Sequence, residues 1–499
     1  MQKTKLMGLA LICGLVLVAT LAGSIQAAGG PTPQEQLGKS LFFDTNLSTP
    51  PGEACAACHA SQVGYTGPDA RINEAGAVYE GAVPGRFGNR KPPTAAYAGD
   101  SPILNRSGTT WAGGMFWDGR ATGWVLGDPL AEQAQGPFLN PLEQNNASAQ
   151  VVIDKVKVSG YATLFAQVCT ETTKYYECIG RAIAAYERSK EVNSFTSKYD
   201  YYLKGQAILT GQEKLGLDLF NGKANCANCH VAPLFTDFSY DNLGVPKNPD
   251  NPFYNEPVWN SAGANWVDEG LGGFLKNYGY GAAVYEPAMG KQKVPTLRNV
   301  DLRPTADFVK AYSHNGYFKS LEEIVHFYNT RDVSGAGWPA PEVAANVNHT
   351  ELGNLSLNKD EELAIVAFLK TLSDGYKYSA NVPVTYVVVP LYKQDKSVHG
   401  GAVAPIKLAL QDKTGQNLSS PEVVVKAVTI RPVGATDGQL PQMPQSAGNA
   451  NPGGLFRFDP ASQSYIFNLK TAGLTPGTWE LGFTATDDPG THFVQVTIN

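Results

Sequence analysis

The apolar positions change period along the chain. From about Pro31 to Gly375 they recur at helical spacing: Leu37 and Leu41; Ile179, Ile183 and Tyr186; Leu215 and Leu219; Leu363, Val366 and Leu369. A three-to-four-residue repeat gives a helix one buried face, so this stretch is expected to be helical. From about Asn381 the period falls to two, in Val382 to Val389, Ile406 to Leu410, Val423 to Ile430, Tyr465 to Leu469, Trp479 to Phe483 and Phe493 to Ile498. These β-branched runs, broken by Gly, Pro and Asp, predict an antiparallel sandwich of Ig-like type, with Pro432 to Gly454 as a long loop. The expected fold is mainly α followed by an all-β domain, and 499 residues are more than one core supports.

The helical part repeats itself. The segment from Thr32 to Phe42 overlays that from Thr210 to Phe220, matching at Thr, Gln, Glu, Leu, Gly, Leu and Phe. Both copies open with Thr-x-x-Glu, in which hydroxyl and carboxylate satisfy the free amides of a first helical turn. Each then runs into Cys-x-x-Cys-His. Matched caps, periodicity and cysteine motif imply two homologous domains, at 29–204 and 205–378, followed by the sandwich at 381–499. The stretch from Val151 to Tyr202 reads as helical and closes the first domain. A helix capped by Asn358, with Glu361 three residues on and Gly375 as its stop, closes the second.

Composition narrows the function classes. Charged residues make up 17%, the formal net charge is −6, and no Lys/Arg cluster stands out, which excludes the electrostatic footprint of nucleic-acid binding. Lys3 and Lys5, the apolar run Leu6 to Leu21 and the small residues of Ser24-Ile25-Gln26-Ala27-Ala28 read as a cleaved export signal over 1–28. The mature chain is then expected in the periplasm or on the outer cell surface, without a membrane span. Cys13 leaves with the signal. Six cysteines remain, four of them in the two Cys-x-x-Cys-His units, and in an oxidising compartment Cys169 and Cys178 are expected to bridge.

Cys55-Ala56-Ala57-Cys58-His59 and Cys226-Ala227-Asn228-Cys229-His230 are haem c attachment motifs: two thiols form thioethers to the haem vinyl groups and the histidine ligates iron. Two covalently bound haems c are therefore expected. No histidine lies between His59 and His230, and the only methionine there is Met115. The first haem is thus predicted to keep an open position at which hydrogen peroxide binds.

Gly114-Met115-Phe116-Trp117-Asp118-Gly119-Arg120-Ala121, Glu132-Gln133-Ala134, Pro141-Leu142-Glu143, Val294-Pro295-Thr296-Leu297-Arg298-Asn299 and Ser313-His314-Asn315-Gly316 closely resemble the signatures of the di-haem cytochrome c peroxidase/MauG family, across about Pro31 to Gly375. The sandwich lies outside the resemblance. The resemblance implies that Trp117 lies between the haems and helps charge cross, and that Gln133 and Glu143 lie over the open iron. There Glu143 can move a proton between the oxygens of bound peroxide. Asp118 and Arg120 read as a structural ion pair or a propionate contact. The position that carries a methionine ligand to the second haem in most relatives falls on Tyr328, as in MauG, with Met289 and His326 as competing ligands. A phenolate there would lower that haem's potential. The family's distal histidine on the loop after the first haem motif is absent, which implies an always-open site. Lys91 stands where the family's calcium-binding asparagine is expected and is unfavourable for a cation, although Asn89 is close, so calcium stays open. The implied activity is peroxide reduction with electrons from a small cytochrome c or copper protein. The alternatives are peroxide-driven oxidation of a protein substrate, as in MauG, or non-enzymatic electron transfer at the cell surface.

Overall fold

Thr32 Oγ1 accepts from the Glu35 amide while the Glu35 carboxylate accepts from the Thr32 amide, and Thr210 and Glu213 repeat the exchange. These caps start two of the helices that frame the molecule: α1 (Pro33–Phe42), α2 (Tyr175–Glu187), α3 (Gly211–Asn221), α4 (Leu321–Thr330) and α5 (Lys359–Lys370). The computed structural model describes residues 30–377, 386–411, 415–421, 423–434, 442–448, 450–486, 488 and 490–499. The expected export signal, and Val382 to Thr385 of the first expected strand, lie outside them.

Packing carries the duplication further than the caps do. Helix α1 crosses α2 at Gly38, where an added Cβ would fall 1.9 Å from the Ala182 carbonyl oxygen and 2.9 Å from Tyr186 Cβ. Helix α3 crosses α5 at Gly216, where it would fall 1.9 Å from the Ala364 oxygen and 2.9 Å from Phe368 Cβ. Only glycine lets two helix backbones approach so closely. Around each crossing lies a separate apolar cluster, one with Leu37, Leu41, Phe42, Ile183 and Tyr186, the other with Phe220, Phe318, Phe327, Ile365 and Phe368.

The copies differ in cover. Leu37 is fully buried, whereas its counterpart Leu215 is 46% exposed, against the expected apolar face. Helix Ala162–Val168 packs on α1, and Phe165 joins its cluster; α3 is met instead by the short helix Lys198–Leu203, whose Lys198 pairs with Glu213 at 2.7 Å.

Two further expectations are corrected. The stretch Val151 to Tyr202 is not continuously helical but breaks into Ala149–Lys157, Ala162–Val168, Tyr175–Glu187 and Lys198–Leu203. Ser159-Gly160 interrupts it first, and the Cys169–Cys178 disulfide, with Cα atoms 5.8 Å apart, closes the reversal before α2. Helix α5 ends at Lys370, five residues before Gly375, with Thr371 as its cap, whose hydroxyl donates to the Phe368 carbonyl at 2.6 Å.

Beyond residue 385 the described strands form two four-stranded sheets. In one the order is Val387–Pro390, Val403–Gln411, Ser464–Lys470, Arg457–Asp459; in the other it is Ser397–Val398, His492–Ile498, Gly477–Ala485, Val425–Pro432. Pairing is antiparallel except between Ser397–Val398 and His492–Ile498. Ile406, Leu408 and Phe467 from the first sheet share a core with Leu481, Phe483 and Val496 from the second. The short strands Ser397–Val398 and Arg457–Asp459 are additional to the expected set. Lys426 Nζ donates to Gln212 Oε1 at 2.8 Å, joining this domain to the start of α3. Among the described residues no helix is long and apolar enough to cross a membrane.

Candidate functional site

Cys55–Cys58 forms one helical turn and delivers His59 behind it. His59 Nδ1 lies 3.2 Å from the Tyr65 carbonyl oxygen, and His230 Nδ1 lies 2.8 Å from that of Phe235. A carbonyl only accepts, so Nδ1 carries the hydrogen and Nε2 keeps its lone pair for a metal. Tyr65 and Phe235 both adopt left-handed backbone, at φ 56° and 57°, so the two loops are alike in detail. Burial pulls His59 down to about 4 and also lowers His230, keeping both imidazoles neutral. The four motif thiols are unbridged, and burial pushes Cys55, Cys226 and Cys229 up to about 12. A thiolate redox pair has the opposite shift.

A cavity of about 410 Å³ opens on Cys55, Cys58 and His59, and Gln133, Glu143 and Trp117 stand on its wall. His59 is the only histidine there among the described residues. Met115 also reaches the wall, but its sulfur lies 3.4 Å from Lys293 Nζ. Asn140 Nδ2 donates to Glu143 Oε1 at 2.9 Å. Burial raises the Glu143 carboxyl, and nearby Arg120 and Asn140 offset this only in part. Glu132 and Gln133 divide their work: Glu132 accepts from the Gly123, Val125 and Leu126 amides and closes that loop, while Gln133 faces the cavity.

A second cavity of about 200 Å³ opens on Cys226, Cys229 and His230. Tyr328, on α4, lines it, and its hydroxyl has no protein hydrogen-bond partner among the described residues. Burial raises that phenol, with the two motif thiols adding to the effect. Neither competing ligand lines the cavity: His326 is half exposed and its Nδ1 lies 2.8 Å from Glu362 Oε1.

Trp117 lines both cavities. Its indole Nε1 donates to the Lys91 carbonyl at 2.9 Å, and its own carbonyl accepts from the Lys293 amide at 2.8 Å. Below it Arg90 bridges Asp118 (2.6 Å) and Asp268 (2.5 Å), and Arg120 pairs with Asp118 at 2.9 Å. Burial alone would raise both carboxyls, but the guanidinium partners outweigh it and hold them below the usual range. The structural ion pair expected of Asp118 and Arg120 is present.

The description of the matching family model is di-haem cytochrome c peroxidase, over residues 32–208. The methylamine utilization protein MauG of Paracoccus denitrificans is 33% identical over 395 residues, covering 73% of this chain and 95% of that protein. This chain belongs to the di-haem cytochrome c peroxidase/MauG family. The cytochrome-c peroxidase IdrP2 of Denitromonas iodatirespirans is 29% identical, covering 74% of this chain and 90% of the relative. The diheme peroxidase BthA of Burkholderia thailandensis superposes with a TM-score of 0.58 at 30% identity, over 71% of this chain and 88% of that one.

The family implies two haems c, and the residues fit them. Each cavity meets a free thiol pair and an imidazole whose Nε2 is available, and neither has the cluster of three or more His, Cys, Asp or Glu that would hold a bare metal ion among the described residues. Sequence reasoning did not single out Glu187, which continues the Ile179–Ile183 stripe of α2 into the first cavity. It is 5% exposed, and burial pushes it up to about 8. A carboxylate on an apolar stripe was the signal available.

Proposed function

We propose that the chain reduces hydrogen peroxide at the haem attached to Cys55 and Cys58, with electrons passed through the second haem from a small cytochrome or copper protein. One observation carries this reading: among the described residues the first cavity presents Glu143 and Gln133 with no histidine besides His59, and the one methionine sulfur on its wall, that of Met115, is engaged by Lys293. Bound haem iron supplies a coordination position for peroxide and the redox equivalents that break its O–O bond. Glu143, held by Asn140, takes the proton from the near oxygen and returns it to the far one, which leaves as water. Its raised affinity for that proton suits a group that must hold it between the two steps. Gln133 orients the peroxide by its amide. Two electrons and two further protons complete the conversion to two waters, and Trp117, on the wall of both cavities, carries charge across.

A second reading, peroxide-dependent oxidation of a protein partner, is favoured by Tyr328. Assigned as the second haem's ligand, its phenolate would stabilise oxidised iron and make that haem a store of oxidising equivalents rather than an acceptor. Peroxide added to the resting diferric protein separates the readings. Rapid return on adding reduced cytochrome c supports peroxide reduction, a long-lived two-electron-oxidised protein supports partner oxidation, and no reaction overturns both in favour of simple electron transfer.

The domain limits are read as 29–204, 205–378 and 381–499, after a signal at 1–28. An Ig-like assignment of the last is supported by its strand order: counted along the chain from Val387–Pro390, one sheet runs first-third-sixth-fifth and the other second-eighth-seventh-fourth. Export to the periplasm or the outer surface is supported by the Cys169–Cys178 disulfide and the two haem c attachment motifs.

A further inference from the structure

The two repeats meet at Trp117 through matching segments, Lys91-Pro92-Pro93-Thr94 and Lys293-Val294-Pro295-Thr296. Their bonding matches as well. Thr66 Oγ1 donates to the Pro92 carbonyl and Thr236 Oγ1 to that of Val294, each at 2.7 Å. Thr94 Oγ1 donates to Gly64 O at 2.7 Å and Thr296 Oγ1 to Leu234 O at 2.5 Å. Lys91 and Lys293 are therefore counterparts.

Both side chains run inward. Lys91 is 9% exposed, and its ammonium donates to Thr66 Oγ1 at 3.1 Å and to the Pro92 carbonyl at 3.0 Å. Lys293 Nζ donates to the Gly114 carbonyl at 2.6 Å. A third ammonium, Lys310, 4% exposed, donates to the carbonyls of Val63, Asn299 and Leu302. Among the described residues no carboxylate lies within 4 Å of any of the three, while the acids Asp118 and Asp268 on the same walls are taken by Arg90. Neutral oxygens alone do not offset the desolvation of a buried cation, so a counter-charge is missing from the protein itself. Lys293 and Lys310 line the second cavity; Lys91 lines both.

We propose that these lysines are the resident counter-charges of the haem carboxylates, Lys293 and Lys310 for the second haem and Lys91 for both haems at once. Each haem c carries two propionates, the anions of matching chemistry that the family's cofactor brings to these walls. A cation shared by two cofactors makes them electrostatically linked: it opposes the gain of positive charge at either iron, so it raises both midpoint potentials.

The inference rests on two bound haems, not on which oxidation the protein performs. Spectroelectrochemical titration of the holoprotein, with haem content measured by pyridine haemochrome, tests it. Lys91→Met is expected to lower the midpoints of both haems, Lys293→Met and Lys310→Met only that of the second, and Lys91→Arg to leave both near the parent values. A Lys91→Met protein with two haems and one or both midpoints unmoved, or an Arg variant shifted as far as the Met variant, overturns it. If Lys91→Met fails to accumulate, a second-haem midpoint that ignores Lys293→Met and Lys310→Met does so equally. Fewer than two haems in the parent protein would instead count against the haem assignment itself.

Discussion

Glu143 and Glu187 share a cavity wall but not an environment. Glu143 has Asn140 on one oxygen and Arg120 nearby, so its carboxylate form is within reach; Glu187 is held as the neutral acid by burial. Glu143→Gln should slow the reaction with peroxide by roughly 10²–10⁴-fold, the usual worth of a positioned acid–base group, with both haems still bound, as stopped-flow mixing would show. In the parent protein that rate should rise as pH climbs through the raised Glu143 value, because only the ionised carboxylate accepts the proton. For Glu187 the linkage concerns stability. Between the ordinary value near 4.5 and about 8 the folded chain binds a proton that the unfolded chain has released. Stability is therefore lost as pH rises across that window, by at most about 1.4 kcal/mol per pH unit. Denaturant melts at pH 5 and pH 8 should show that slope shrinking in Glu187→Gln. Tyr328→Phe should change the spectrum of the second haem and leave the first unaltered; an unchanged spectrum would remove the ligand assignment.

At the scale of elements, the two glycine crossings set how closely each repeat closes. Gly216→Ala places a methyl group against the Ala364 carbonyl oxygen and must push α3 from α5, at a cost of about 1–3 kcal/mol. Gly211→Ala, where an added Cβ meets nothing within 4 Å, is the matched control and should stay within about 0.5 kcal/mol in the same thermal melts. The same comparison shows what could be read from the chain alone. Caps, haem motifs and strand periodicity are local, and they were legible. The exposure of Leu215 was not, because it depends on what packs over α3 and not on the spacing of its leucines. Lys293 and Lys310 gave no signal, and Lys91 only an unfavourable one for calcium, since a lysine in a sequence window looks solvated until distant segments, Gly114 for Lys293 and Val63 for Lys310, close over it. Gln133 and Glu143 were found through family resemblance, and nothing in their spacing alone would have selected them over Glu187.

For the whole molecule, the sandwich has its own core and touches the haem-bearing part at Lys426 and Gln212. A chain ending at residue 377 should keep both haems and its peroxide turnover, and cell fractionation should show whether its location changes. The haem-bearing part itself does not divide so cleanly. Trp117 is held from both sides, its indole by the first copy at Lys91 and its carbonyl by the second at Lys293. The first copy alone supplies only the indole grip, so the doubly held bridge needs both copies in one molecule. Severed between residues 204 and 205, each half would keep its own helix crossing while the tryptophan lost one of its two moorings.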